Sequence, residues 1–202
     1  MVREAPQPDS ALRQRKQALR RQILARRSGL DPTERSRASR TITSTLLGLS
    51  EFRVARCVLA YLSFGSEFET RDFVSALQSR GCALVLPRID LAGRRLTLHR
   101  VDDPEADTLP GLWGIQEPDP RHCPLAEGTE IDAVLVPGVA FSPNAERLGY
   151  GGGFYDKLIR EWYTHPPLIA PAFDLQVVEA LPLGPGDQRI DGVVTESRIY
   201  RR

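Results

Sequence analysis

Short, continuous apolar runs alternate with helical segments along this chain, and that alternation constrains its fold more than any other feature. Residues 56–63, 82–86 and 131–136 have the length and composition of strands that are buried on both faces. Residues 70–81 and 154–163 between and after them read as helices. A strand buried on both faces needs helices above and below its sheet and is typical of parallel sheets. The pattern therefore predicts an α/β protein.

The remaining segments extend this pattern at both ends. Ser10 is predicted to cap a first helix over residues 10–27, and Asp31 to cap a second helix that continues to Leu49. Thr70 is predicted to cap the helix that follows the first strand. The other predictions are an exposed strand at 96–101, a long loop at 104–128 and strands at 168–172, 192–195 and 198–200. Together they describe a three-layer sandwich with a largely parallel, Rossmann-like central sheet flanked by helices.

The size and charge of the chain restrict its partners. Its 202 residues suffice for one domain, which we place at residues 10–202 after a disordered tail at 1–9. The net charge is +1, and aromatic residues do not interleave with the basic side chains of the first helix, so we expect no nucleic-acid partner. No apolar run has the length of a membrane span, and the first residues lack an apolar signal segment. We expect a cytoplasmic monomer that acts on small molecules and has no membrane partner.

The stretch RLGYGGGFYDK, residues 147–157, carries the clearest chemical signal. It follows a predicted buried strand and opens a predicted helix, and in this arrangement backbone N–H groups and the helix dipole attract phosphate. No Gly-Lys-Ser/Thr closes it, so it is not a Walker loop. Arg147 can neutralise phosphate charge, and Lys157 lies one turn into the helix.

Asp156 suggests a cation at the same place. A carboxylate beside a phosphate is unfavourable unless a cation lies between them, and Mg²⁺ is the usual one. The structural alternative is a tight connection in which Asp156 is only a helix-start residue favoured by the dipole. Arg147, Asp156 and the preceding strand, taken together, favour phosphate binding.

Several motifs in order resemble the 5-formyltetrahydrofolate cyclo-ligases, also called methenyltetrahydrofolate synthetases. The matching segments are Lys16, Leu19 and Arg20; YLSFGSEFET at 61–70; WGIQEP at 113–118; PGVAFSPNAERLGYGGGFYD at 137–156; and Asp191 in IDGVV. The resemblance covers nearly the whole chain. Three residues depart from the family pattern: Ser142 replaces an Asp, Ala145 a Gly and Phe154 a Tyr. None of these changes removes a charge that the chemistry needs.

The resemblance implies ATP-dependent closure of 5-formyltetrahydrofolate to 5,10-methenyltetrahydrofolate, with Mg²⁺ as cofactor and ATP as co-substrate. It implies catalytic roles for Lys16, Arg20 and Arg147, and Asp156 and Asp191 as the Mg²⁺ ligands. The residues expected to bind ATP are Lys16, Arg20, Arg147, Leu148, Gly149, Tyr150, Gly151, Gly152, Gly153, Phe154 and Tyr155. Lys16 and Arg20 are four residues apart and therefore share a helix face.

For the folate, flat rings favour aromatic walls and a carboxylate that accepts ring N–H donors. Glu67 and Trp113 match family positions, and Leu62, Phe154 and Tyr155 complete the expected pocket.

Each of these residue assignments has a structural alternative. Trp113 can anchor its loop, Glu67 can cap a turn, and Lys16 and Arg20 can form a solvated face. The alternative function is a non-catalytic nucleotide- or folate-binding relative of the same fold.

Overall fold

The computed structural model describes residues 8–202. Its α-helices are α1 Pro8–Ser28, α2 Pro32–Gly48, α3 Ser50–Arg53, α4 Arg71–Gln78 and α5 Phe154–Glu161. Its strands are β1 Cys57–Leu59, β2 Ala83–Asp90, β3 Arg95–Val101, β4 Thr108–Pro110, β5 Gln116–Pro118, β6 Ala133–Leu135, β7 Ala140–Phe141, β8 Arg147–Leu148, β9 Leu168–Pro171, β10 Gly192–Val194 and β11 Ile199–Arg201. Within these residues no helix is both long and apolar enough to cross a bilayer.

The central sheet has seven strands in the order β11-β10-β9-β6-β1-β2-β3. The five inner strands are parallel, and the two edge strands, β3 and β11, pair antiparallel to their neighbours. From β1 the chain first adds β2 on one side and later adds β6, β9 and β10 on the other. The strand order therefore reverses between β1 and β6, and ligands of such sheets bind outside the carboxyl ends of the strands at this point.

Helices cover both faces of the sheet, so the predicted three-layer α/β fold is confirmed. Alternate strand residues point to opposite faces. Val58 belongs to a buried cluster that includes Leu46 of α2 and Phe73 of α4, whereas its neighbour Leu59 belongs to a second cluster that includes Leu158 of α5. The two buried clusters account for the continuous apolar runs in the sequence.

Helix α1 packs mainly outside these layers. Ile23 is fully buried against Val139 and Leu148 of the small β7–β8 hairpin. This hairpin leads directly into the glycine-rich stretch. Packing α1 on it places Lys16 and Arg20 beside that stretch, although they are about 130 residues away in sequence.

Several predicted boundaries change. Helix α1 begins at Pro8, so Pro8 and Asp9 belong to the helix and not to the predicted tail, and Ser10 is not the N-cap. The rest of the predicted tail, residues 1–7, lies outside the described residues. Asp31 caps α2 as predicted, accepting from the backbone N–H groups of Thr33 and Glu34.

Two further predictions were wrong. Thr70 makes no capping bond to α4, because its hydroxyl instead accepts from the N–H of Ser63 at 2.9 Å. The predicted loop at 104–128 contains the two-stranded β4–β5 sheet and short 3₁₀ turns.

Candidate active site

A cavity of about 1100 Å³ lies at the carboxyl ends of the inner strands. Tyr61 and Leu62 follow β1 and line it on one side, and Pro137 follows β6 and lines it on the other. These two strands flank the point where the strand order reverses, so the cavity occupies the position expected of a ligand site in this fold.

Most of the predicted site residues meet in this cavity. Those that line it are Lys16, Arg20, Leu62, Glu67, Trp113, Arg147, Gly149, Tyr150, Gly151, Gly152, Gly153, Phe154, Tyr155 and Asp156. Two predicted residues do not. Leu148 is buried between α1 and the hairpin. Asp191 precedes β10 at the amino ends of the inner strands, opposite to the cavity, where its carboxylate accepts from the N–H of Leu168 at 2.8 Å. We therefore do not carry Leu148 or Asp191 into the site.

Two of the predicted cations come from helix α1, and both have acceptor partners. The Lys16 ammonium contacts both carboxylate oxygens of Asp187, at 2.5 and 2.6 Å. The Arg20 Nε donates to the carbonyl of Gly149 at 2.7 Å. Burial lowers the pKa of Arg20, and the charges of Asp187 and Asp156 oppose this shift. The alternative of an ordinary solvated face is therefore wrong for this part of α1.

The glycine loop, residues 149–153, has glycines at positions where a side chain would be strained or would clash. Gly151 and Gly153 have φ of 109° and 71°, a region that side chains disfavour. A Cβ on Gly149 would lie 2.8 Å from the Arg147 guanidinium. The loop ends at the N-terminus of α5, and the loop glycines and the first residues of α5 line the same cavity. A helix N-terminus at such a place favours an anion.

Arg147 is fixed below this loop. It is 4% exposed, donates to Asp156 at 2.8 Å and to the carbonyl of Pro137 at 3.2 Å, and lies over the Tyr155 ring. The Arg147 Nε and the Tyr155 hydroxyl are buried without a hydrogen-bond partner within residues 8–202. A buried donor without a partner is costly, so these atoms mark polar positions that a ligand can satisfy.

Glu67 provides a buried carboxylate in the same cavity. It is 4% exposed, and it accepts from the N–H of Phe64 at 3.1 Å and from the hydroxyl of Tyr150. Burial raises its pKa, while these two hydrogen bonds and the charge of Arg27 oppose the rise. Glu67 therefore closes its turn, as the structural alternative proposed, and also lines the cavity.

Trp113 borders the cavity from the long connection before β6. It is 70% exposed and adopts a left-handed backbone conformation with φ of 58°. An exposed ring cannot hold its loop by burial, so the alternative role as an anchor is wrong. A strained backbone that presents an exposed aromatic ring beside a cavity is typical of ligand contact.

Sequence reasoning missed four charged residues of the cavity: Arg13, Arg27, Glu117 and Asp187. Arg27 and Glu117 are 3% and 4% exposed, and burial raises the pKa of Glu117. Arg27 lies two helical turns, seven residues, after Arg20 and so on the Lys16–Arg20 side of α1, which was an available signal. Asp187 lies in a Pro/Gly-rich segment without a periodic pattern, so only the structure shows it bound to Lys16.

The three departures from the family pattern lie in the turn between β7 and β8 and at the start of α5. The Ser142 hydroxyl accepts from the N–H groups of Asn144 and Glu146, as an aspartate does in such turns. Ala145 adopts φ of 56°, the conformation that favours glycine. Phe154 still lines the cavity.

The comparisons with known proteins agree with this geometry. The model of the 5-formyltetrahydrofolate cyclo-ligase family matches residues 12–196. The 5-formyltetrahydrofolate cyclo-ligase of Escherichia coli K12 is 29% identical over 182 residues, covering 88% of this chain and 98% of the relative. The solved structure of Aquifex aeolicus 5,10-methenyltetrahydrofolate synthetase has 32% identity and a TM-score of 0.80, with 92% of each chain covered. This chain is therefore an enzyme of the 5-formyltetrahydrofolate cyclo-ligase family.

Proposed function

We propose that the cavity converts 5-formyltetrahydrofolate and ATP into 5,10-methenyltetrahydrofolate, ADP and phosphate in the presence of Mg²⁺. One observation carries the proposal. The cavity contains the basic side chains of Lys16, Arg20 and Arg147, here called the cationic wall, beside the glycine loop, and it also contains the buried Glu67 carboxylate with aromatic neighbours. The first suits a nucleotide triphosphate and the second suits a flat ring with N–H donors.

The reaction needs activation because a formamide oxygen is a poor leaving group. Its oxygen attacks the γ-phosphorus of ATP, ADP leaves, and the formyl carbon becomes an iminium phosphate. N10 then attacks this carbon, the C–O bond breaks, phosphate leaves with the formyl oxygen, and the N10 proton is released. Phosphoryl transfer of this kind depends mainly on positioning and on positive charge.

The cationic wall supplies that positioning and charge. Lys16 and Arg20 contribute two charges from one face of α1, and the glycine loop contributes backbone N–H groups at the start of α5. Arg147 is held by Asp156 and Pro137, so its guanidinium does not need to be ordered when the nucleotide binds. We assign these three basic residues to the stabilisation of phosphate charge.

The carboxylates of Asp156 and Asp187 are the residues that would hold Mg²⁺. Both line the cavity, and both charges act on Arg20. Mg²⁺ in phosphoryl-transfer sites is usually held by one or two carboxylates and completed by substrate phosphates. When bound there, Mg²⁺ would neutralise charge on the ATP phosphates.

The folate ring is assigned to the part of the cavity that contains Glu67. The Glu67 carboxylate offers acceptors to ring N–H groups, and Leu62, Phe154, Tyr155 and Trp113 offer apolar and aromatic surface. The non-catalytic alternative is disfavoured because every charged residue of the proposed mechanism is present in one cavity.

A direct assay tests the proposal. Purified protein is mixed with 5-formyltetrahydrofolate, ATP and Mg²⁺, and the methenyl chromophore is followed in the near ultraviolet. We expect an absorbance rise that disappears when ATP is omitted or Mg²⁺ is chelated. If folded protein that binds ATP and folate gives no rise, the non-catalytic alternative is correct.

A further inference from the structure

We propose that Tyr150 is a positioning residue that orients the Glu67 carboxylate for the folate ring and connects this carboxylate to the glycine loop. The inference rests on the proposed function and deepens it. From the sequence, Tyr150 was expected on the nucleotide side because it lies within the glycine loop. Its side chain instead reaches Glu67, so the two halves of the cavity share one residue.

The Tyr150 hydroxyl joins three separate segments. It donates to Glu67 Oε1 in the turn after β1, and it accepts from Arg27 Nη2 of α1 at 2.8 Å. Arg27 Nε donates in turn to the Ser66 hydroxyl at 3.1 Å. The Phe64 ring lies 5.5 Å from the Tyr150 ring, which fixes the side chain further. A single hydroxyl thus links the glycine loop, α1 and the Glu67 turn.

This arrangement fixes both oxygens of the carboxylate. Glu67 Oε2 accepts from the backbone N–H of Phe64, and Oε1 accepts from Tyr150. Each carboxylate oxygen has further lone pairs, so the anchored group can still accept from a ligand. A carboxylate held in advance loses less conformational entropy when it binds, and Tyr150 supplies one of its two anchors.

Tyr150 also affects the ionisation of Glu67. The charged or titratable groups that face Glu67 are Arg27 of α1, Tyr61 after β1, Tyr150 of the glycine loop and Tyr155 of α5. Burial raises the pKa of Glu67, and the Tyr150 hydrogen bond lowers it. Loss of the Tyr150 hydroxyl therefore raises the pKa of Glu67 further. As the pH falls, the Glu67 carboxylate of the variant becomes protonated, and stops accepting N–H donors, at a higher pH than in the wild type.

The test uses Tyr150→Phe, which removes the hydroxyl and keeps the ring. The fully exposed Tyr163 provides the matched control, Tyr163→Phe. Calorimetry measures the affinities for 5-formyltetrahydrofolate and for ATP separately, from mildly acidic to neutral pH. We expect Tyr150→Phe to bind the folate about tenfold more weakly, to bind ATP within about twofold of wild type, and to lose folate affinity at a higher pH than wild type.

A double-mutant cycle with Glu67→Gln tests whether Tyr150 acts through Glu67. We expect the double variant to bind folate no more weakly than Glu67→Gln alone, because the orienting contact then has no carboxylate to hold. Additive effects would overturn the inference, as would unchanged folate binding by Tyr150→Phe, or a parallel loss of folate and ATP binding with a lowered Tm. If wild-type protein itself binds no folate, the proposed function fails; if only the variant result differs, the inference alone fails.

Discussion

At the scale of single residues, the ion pair between Arg147 and Asp156 is central because Arg147 is buried, Asp156 is partly buried, and both serve the proposed chemistry. The Arg147 side chain is 3% exposed and lies 2.8 Å from Asp156. Removing Arg147 leaves the Asp156 carboxylate, which is 19% exposed and keeps the hydrogen bond from the N–H of Gln188 at 3.0 Å. The expected cost therefore lies at the lower end of the range of about 3–5 kcal/mol found for a fully buried pair. We expect Arg147→Met to abolish turnover and to lower the free energy of unfolding by about 3 kcal/mol in urea titrations.

Arg189 provides the control for that substitution. It pairs with Glu146 at 3.0 Å, but its side chain is 52% exposed, and pairs of this kind contribute about 0–1 kcal/mol. Arg189→Met is expected to retain turnover and to lose less than about 1 kcal/mol of stability. Equal stability losses in the two variants would contradict the difference in burial on which the assignment depends.

Two aspartates near the C-terminus differ in role: Asp187 is assigned to the cavity, and Asp191 to a structural contact. Asp187 lines the cavity beside Lys16, whereas Asp191 accepts from the backbone of Leu168 at the amino ends of β9 and β10. Asp187→Asn is expected to raise the Mg²⁺ concentration needed for turnover. Asp191→Ala is expected to keep the wild-type Mg²⁺ requirement and to lose about 1–2 kcal/mol of stability. Mg²⁺ titrations of the initial rate and thermal melts distinguish the two, and the opposite pattern would restore Asp191 as the ligand.

At the scale of elements, the glycine loop depends on backbone conformations that other residues disfavour. Gly151 has φ of 109°, and a Cβ there would lie 3.4 Å from the Arg20 guanidinium. We expect Gly151→Ala to raise the KM for ATP by about tenfold or more, because strain of about 1–2 kcal/mol shifts the loop away from its binding conformation. Steady-state kinetics with ATP as the varied substrate measure this effect.

Gly48 is the matched glycine. It is the last residue of α2 and a Cβ there meets no atom within 4 Å. Gly48→Ala is therefore expected to keep the KM for ATP and to stabilise the protein by up to about 0.5 kcal/mol. A similar rise in KM in both variants would show that glycine content, and not the conformation of residue 151, is what matters.

The same elements show what sequence alone can predict. The apolar runs of β1, β2 and β6 and the Asp31 cap were predictable because burial on both faces and capping are local signals. The failed Thr70 cap shows the limit. The Thr70 hydroxyl accepts a hydrogen bond from the N–H of Ser63 across a turn, and no local pattern specifies this contact. Asp187 was missed for the same reason, since its partner Lys16 is 171 residues away.

At the scale of the whole molecule, the cavity exists because the fold brings distant segments together. Helix α1 packs on the β7–β8 hairpin, and the strand order reverses between β1 and β6. These two features bring Lys16, Glu67 and Arg147 to one place. Motif order identified about half of the residues that line the cavity. It could not show that Tyr150 contacts Glu67, or that Asp191 lies at the amino ends of the strands, opposite to the cavity.

The central claim is that ATP activates the formyl oxygen within this cavity, and isotope transfer tests it most directly. The enzyme is supplied with ATP, Mg²⁺ and 5-formyltetrahydrofolate that carries ¹⁸O in its formyl group, and the released phosphate is analysed by mass spectrometry. The account predicts one ¹⁸O atom in each phosphate released with the methenyl product. Formation of the methenyl product with unlabelled phosphate would contradict it, because the formyl oxygen would then have left by another route.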